Sequence, residues 1–238
     1  MPALQDKVAI VSGAGQGLGR HIALRLASEG AKVAICGRRE HLVREVESGI
    51  RAAGAEVAAA SVDISKYGEV ESFVQTVRSE LGPVEIVVNN AGLGWYKPFE
   101  EHSIEEIDAT IDINLKGTIY LTRAALPDLL ARRGQVINVA SDLGRRILPN
   151  MATYVAAKHG VMGFAGSLLR EVKGRGVKVM TLTPGIIDTW FGGGAEGTRD
   201  PSWSLRPDFV AGLVVTMLTL PEHVVFDEIS FHAMQQDY

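Results

Sequence analysis

The sequence predicts a single α/β domain built on a mostly parallel, doubly wound sheet of roughly seven strands, with helices on both faces. Three observations carry this. Apolar runs of strand length alternate with longer segments of helical period from one end to the other. Those runs are near-continuous, as in VAIV, KVAIC and EIVVN, which marks strands buried on both faces as in a helix-covered parallel sheet. The 238 residues suit one core better than two small ones.

Taken in order, strands are expected at 7–12, 32–36, 56–61, 85–89, 135–140, 177–183 and 224–231. Helices are expected between them at 17–29, 40–53, 66–81, 103–133, 152–174 and 207–220. Right-handed crossovers between parallel strands then wind the sheet in both directions. The segment 103–133 is too long to pass without comment, and an interruption is expected near Pro127, because proline inside a helix costs about 3 kcal/mol. With no repeat, low-complexity tract or linker, residues 1–238 read as one domain, with a short substrate loop or lid at about 186–206.

Composition narrows the function. Hydrophobic residues make up 46% and charged residues 22%, enough for a packed core. A net charge of -4 gives no electrostatic reason to bind nucleic acid or an anionic membrane. The apolar stretch at 209–218 is too short to span a bilayer, and the N-terminus lacks the pattern of an export signal. The single cysteine, Cys36, excludes an internal disulfide and suits a reducing compartment, so a cytoplasmic location is expected. The six histidines show no ligand spacing, and no metal is expected.

The first strand runs into SGAGQGLG and then a helix. Glycines at such a turn let backbone amides approach a pyrophosphate, and the helix start behind them offers unpaired N–H groups and a positive dipole end. The pattern is not GxGxxG, because the third position falls on Leu18, and a plain tight turn is the competing reading. Tyr154 and Lys158, in TYVAAK, lie four apart on one helix face, where an ammonium can lower the pKa of a phenol.

In these features the chain resembles the short-chain dehydrogenase/reductase family, over essentially its whole length. The GxxxGxG turn is matched by Gly13, Gly17 and Gly19, with Ser12 where threonine is usual; NNAG by Asn89 to Gly92; and YxxxK by Tyr154 and Lys158. Asn114 in INLKG, Ser141 in INVAS and the Pro184-Gly185 turn followed by Thr189 complete the likeness. The resemblance implies a Rossmann-type fold and reversible hydride transfer between a nicotinamide dinucleotide and an alcohol or carbonyl. Tyr154 would be the acid/base, Ser141 would hold the substrate oxygen, Lys158 the nicotinamide ribose, and Asn114 a proton-supplying water chain. Cofactor contacts are implied for Ser12, Gly13, Gln16, Gly17, Leu18, Gly19, Arg38, Arg39, Asp63, Ile64, Asn90, Ala91, Gly92, Pro184, Gly185, Ile187 and Thr189, together with Tyr154 and Lys158.

After the second strand, in CGRRE, Gly37 stands where an acid would bind an unphosphorylated ribose, and Arg38 and Arg39 follow. An arginine fork suits a 2′-phosphate, so NADP(H) is favoured, with NAD(H) possible; two solvated arginines are the plainer alternative. The expected activity is reduction of a ketone or aldehyde. Reduction of a 3-oxoacyl thioester is the alternative within the family, for which Arg132, Arg133 and Arg175 would face the carrier. A non-catalytic NADP(H) sensor is the alternative outside it. The loops at the strand ends carry Trp95, Tyr96, Leu143, Ile147, Met151, Trp190, Phe191 and Trp203, which predicts an apolar pocket wall, with Gly192 to Gly194 allowing a flap to close and Arg145 and Arg146 available to an anionic group. Small residues on the Tyr154 helix (Ala156, Ala157, Gly160, Gly163, Ala165 and Gly166) predict a homodimer or homotetramer, with close packing inside one subunit as the alternative.

Overall fold

A computed structural model describes residues 3–237. Its strands are β1 (Val8–Ser12), β2 (Lys32–Gly37), β3 (Val57–Ser61), β4 (Ile86–Asn89), β5 (Gln135–Val139), β6 (Lys178–Pro184) and β7 (Glu228–Phe231). The helices are α1 (Gly17–Ser28), α2 (Glu40–Ala52), α3 (Tyr67–Glu80), α4 (Ile104–Ile111), α5 (Gly117–Arg132), α6 (Ala152–Val172) and α7 (Pro207–Leu218). Among the described residues the strands form one sheet in the order 3-2-1-4-5-6-7, parallel throughout.

Successive strand residues face opposite layers, and the core divides accordingly. Ala9, Val11, Val33 and Ile35 pack with α1, α2 and α7, through Ile22, Leu26, Val43, Ile50, Val214 and Met217. Val8, Ile10, Ala34 and Cys36 pack on the other side with α3, α5 and α6, through Phe73, Val77, Leu121, Leu129, Leu168 and Val172. Fully buried side chains such as Ile10 and Ile35 each contribute about 1.5–3 kcal/mol by leaving water. Cys36 belongs to this core, and burial pushes its thiol up to about 12, so it is an inert packing group.

Two expectations are corrected. Pro127 does not interrupt its helix; it lies within α5, whose Ala124, Ala125 and Leu129 are buried around it. Tertiary packing there outweighs the local cost of proline. The interruption comes earlier, at a π turn over Asp112–Lys116 that separates α4 from α5. Its cause is Asn114, whose Nδ2 donates to the Thr110 carbonyl (2.8 Å) and to the Leu93 carbonyl (2.7 Å), drawing the helix towards the loop after β4. The last strand is also shorter than expected, since only Glu228–Phe231 pairs with β6. No helix of the described residues is long and apolar enough to cross a membrane.

The chain changes direction of winding between β1 and β4, and the loops at their carboxyl ends diverge there. In sheets of this kind that crevice is where ligands bind.

Candidate active site

The turn after β1 and the Asn90–Gly92 segment after β4 lie back to back. Gly13 has φ +66°, and a Cβ on it would come within 2.7 Å of the Ala91 Cα; a Cβ on Gly19 would overlap the Gly13 carbonyl oxygen and Asn90 Nδ2. These two glycines therefore serve contact between two pieces of backbone as much as approach to a ligand. Ser12 supports the contact: its Oγ accepts from the N–H groups of Asn90 and Ala91, both at 3.1 Å, while Asn90 Nδ2 donates to the Ser12 carbonyl at 3.0 Å.

A cleft of about 770 Å³ opens over this platform. Its walls are Gly13, Gln16, Gly17, Leu18 and Gly19 from the first turn, Arg38 and Arg39 after β2, Asp63 and Ile64 after β3, and Asn90, Ala91 and Gly92 after β4. Thr189, Trp190 and Phe191, with Trp95 and Tyr96, complete its lining, and Trp190 also borders a smaller hollow shared with Arg39. The start of α1 faces it with no side-chain cap from Gln16 and no acid in the first turn, which leaves the helix dipole unopposed for an anion. Burial works against ionisation of Asp63, but the Ser65 hydroxyl and amide and the nearby Arg38 hold its carboxyl below the usual range.

Ser141 after β5 and Tyr154 and Lys158 on α6 are all buried and do not themselves line the cleft; Lys158 lies behind Gly92 and Tyr154 behind Gly94, both of which do. Ser141 Oγ donates to Asp142 Oδ1 (3.0 Å) and accepts from the Leu143 N–H (3.2 Å). Lys158 Nζ donates to the Val139 carbonyl (3.0 Å) and stands 5.5 Å from the centroid of the Tyr154 ring. Asn114 Oδ1 is buried with no hydrogen-bond partner in the chain, and a Cβ on Gly92 would lie 2.8 Å from it and 3.7 Å from Lys158 Nζ. Asn114, Gly92 and Lys158 thus meet at one point beside the cleft.

The electrostatics differ from the sequence expectation. Burial lowers the Lys158 ammonium to about 8. Burial also raises the Tyr154 phenol above its ordinary value; a hydrogen bond with Ser141 opposes this and the Asp142 charge adds to it. The lysine does not depress the tyrosine in the protein by itself. Its ammonium is committed to Val139 and lies beside the ring, and desolvation outweighs what attraction remains.

Several expected residues lie elsewhere. Pro184 and Gly185 stay with the sheet, where the Gly185 N–H donates to Phe231, and Ile187 bridges to Leu205; none of the three lines the cleft. Leu143 and Met151 form a buried cluster with Tyr154 behind the cleft wall. Trp203 is partly exposed outside the cleft, and Ile147 is almost fully exposed. Arg145 is engaged with Glu228 at 2.9 Å, which removes it as a receptor for an anion, and Arg133 lies 3.4 Å from Glu222. Phe191 does reach the site, its ring 5.5 Å from that of Tyr154, and a Cβ on Gly94 would press on both rings.

Two organising residues carry no motif in the sequence. Asp188, fully buried, accepts from the N–H groups of Gly197 (3.0 Å) and Arg199 (3.2 Å) and so folds the 186–206 segment around itself. Gln236, near the C-terminus, reaches Asp142. Hydrophobic period and local spacing carry no sign of either.

Comparison with known proteins agrees with this geometry. Residues 7–197 match the model of the family described as short chain dehydrogenase. An uncharacterised oxidoreductase of Staphylococcus aureus is 35% identical over 97% of this chain and 98% of its own. Among solved structures, an alcohol dehydrogenase from the archaeon Thermococcus sibiricus, complexed with 5-hydroxy-NADP, superposes with a TM-score of 0.92 at 33% identity, covering 98% of each chain. A 3-ketoacyl-(acyl-carrier-protein) reductase from Brucella melitensis, complexed with NADH, gives 0.85 at 31% identity, over 95% of this chain and 98% of the other. The family match over residues 7–197 and the 35% identity over 97% of the length make this chain an oxidoreductase of the short-chain dehydrogenase family.

Proposed function

We propose that the protein is a carbonyl reductase that uses NADP(H) in preference to NAD(H), working at the cleft beside Tyr154. The observation that carries this reading is that Asn114 and Lys158 lie directly behind Gly92, and Tyr154 directly behind Gly94, two glycines that line the same cleft as Arg38 and Arg39. The residues fit a dinucleotide. The uncapped start of α1 and the Gly13–Gly19 turn suit its pyrophosphate, and the arginines suit a 2′-phosphate. Asp63 and Ile64 border the space for the adenine, Asn90 to Gly92 line the middle, and Lys158 is available to the nicotinamide ribose. The orphaned Asn114 Oδ1 beside Lys158 marks a place for one more polar partner. When bound, the dinucleotide supplies the hydride.

The chain's own residues handle the proton and the geometry. Tyr154 donates its proton to the carbonyl oxygen in reduction and accepts it in oxidation. Because burial holds the phenol in its protonated form, the resting site is charged for reduction. Ser141 binds the same oxygen and fixes its direction. Lys158, whose ammonium burial lowers to about 8, relays to Tyr154 the proton lost in reduction, with Asn114 supporting the water chain that resupplies it. Phe191, 5.5 Å from the Tyr154 ring, with Trp95 and Tyr96 of the same lining, offers apolar walls to the substrate, which favours a carbonyl flanked by an apolar or aromatic group, whereas Trp190 lies beside Arg39. Thr189 to Gly194 form a flap over that space. The similarity to a 3-ketoacyl reductase supports reduction of a 3-oxoacyl thioester as the second reading. The decisive assay follows NADPH oxidation with an aromatic ketone or diketone, a 3-oxoacyl thioester and a sugar-like hydroxyketone. The apolar carbonyl is expected to give the highest kcat/KM; a marked preference for the hydroxyketone refutes the apolar pocket, and no turnover of any carbonyl refutes the reductase.

A further inference from the structure

Gln236 lies in the short tail after β7, yet its side chain is buried and both ends of its amide are committed. Oε1 accepts from the Ile186 N–H at 2.8 Å, and Nε2 donates to Asp142 Oδ2 at 3.2 Å. The two partners come from different parts of the site. Asp142 follows Ser141, and its other oxygen accepts the Ser141 hydroxyl at 3.0 Å. Ile186 opens the segment that carries Thr189, Trp190 and Phe191 into the cleft. Gly185 is a glycine because a Cβ there would overlap Gln236 Oε1 and crowd His232. The tail is also tied to the far part of the same segment, where the Gln235 N–H donates to the Ser202 carbonyl at 3.3 Å.

We propose that Gln236 is a positioning residue for the reaction: its amide holds Asp142, and through it the Ser141 hydroxyl, in fixed relation to the base of the Thr189–Phe191 flap. This rests on the carbonyl-reductase reading for its kinetic consequence. An amide bridging a carboxylate and an N–H satisfies both only in one orientation and at one separation, so it acts as a spacer between the two walls of the substrate space. Without it the Asp142 carboxylate loses a donor inside the protein and can turn, taking with it the hydrogen bond that sets the Ser141 hydroxyl. The same loss frees the N–H at the base of the flap. Asp142 also contributes to the high pKa of Tyr154, so its placement bears on the acid as well as on the serine.

The test compares Gln236→Met, which keeps length and bulk but can neither bridge nor donate, with Gln236→Glu, which keeps an acceptor for Ile186 but no donor for Asp142. The exposed Met234 in the same tail, changed to alanine, is the control. Expected for Gln236→Met is a fall in kcat of about ten- to a hundredfold with the Kd for NADPH unchanged, because the misplaced groups act on the substrate oxygen and not on the dinucleotide. Amide hydrogen exchange is expected to quicken at residues 141–144 and at Ile186, and to stay unchanged in β1. Gln236→Glu is expected to show the same loss of kcat with quickened exchange at 141–144 alone. Unchanged kcat and unchanged exchange in Gln236→Met overturn the proposal, as does an equal loss in Met234→Ala. If Gln236→Met does not fold, Gln236→Glu decides by the same two readouts. Should the unmodified protein reduce no carbonyl, the reductase reading fails, while hydrogen exchange still decides whether Gln236 holds the Ser141 loop.

Discussion

Replacing Lys158 by methionine removes an ammonium that the fold buries and keeps most of the side chain's bulk, so a residue proposed for the reaction should prove costly to stability. The lysine falls from its ordinary 10.5 to about 8 because burial disfavours its charge. That difference corresponds to about 3 kcal/mol of instability carried by the protonated folded state. The variant also forfeits the hydrogen bond from Nζ to the Val139 carbonyl, a loss of about 1 kcal/mol. The net gain for Lys158→Met is then about 2 kcal/mol, or roughly 4–8 °C in Tm for a chain of this size. The sign follows from a lowered folded pKa: the cost is fully present below about pH 8 and is relieved as pH rises towards 10.5, where the unfolded chain also gives up its proton. The advantage of the methionine variant should therefore be largest near neutrality and reverse to a deficit of about 1 kcal/mol towards pH 10.5, where only the lost hydrogen bond remains. Thermal melts of the cofactor-free proteins across that range provide the assay, with turnover measured alongside. Turnover should collapse while stability rises. A methionine variant no more stable than the unmodified protein near neutrality, or one whose advantage persists at high pH, refutes the claim that burial of this ammonium is a net cost.

Three further outcomes are expected. Tyr154→Phe should lower turnover at least about 10²-fold with NADPH binding nearly intact, checked by steady-state kinetics and fluorescence titration; near-normal turnover would remove Tyr154 from the chemistry. Arg38→Ala should weaken NADPH by about 1.5–3 kcal/mol and NADH far less, because only the former carries the phosphate; equal kcat/KM for the two cofactors in the unmodified protein would contradict the preference. Ala157 and Ala165 are buried in their own subunit and Gly160 packs on Leu115, but Ala156 and Gly163 are exposed, and close approach of a second α6 across these two should make the protein a homodimer or homotetramer. Light scattering showing a monomer at micromolar concentration would count against it.

The order of elements, the two-sided burial of the strands and the cluster of motif residues were all legible in the chain because each is local. A buried strand is a short apolar run, and a tyrosine and lysine one helical turn apart need no tertiary information to share a face. The glycine turn was legible too, although one reason for its glycines, contact with Ala91 and Asn90, required the two loops to be seen together.

Tertiary structure decided what depends on distant segments meeting. Pro127 remains inside α5 because packing on both sides outweighs a local penalty, and the helix breaks at Asn114 instead because a side-chain amide competes for backbone carbonyls at the loop after β4. Pro184, Gly185 and Ile187 carry the motif's spacing, but Pro184 and Gly185 pair with β7 and Ile187 with Leu205. Arg145 is spent on Glu228 and Asp188 on its own loop, pairings that charge alone does not announce. The sequence by itself determined the fold class and put forward Ser141, Tyr154 and Lys158 as candidates, since pattern and spacing act over a few residues. The state of those groups was set only by the folded protein: burial desolvates the phenol and the ammonium in opposite directions, and a glutamine 94 positions from Asp142 stands against it, because desolvation and long-range hydrogen bonds exist only once the core has closed.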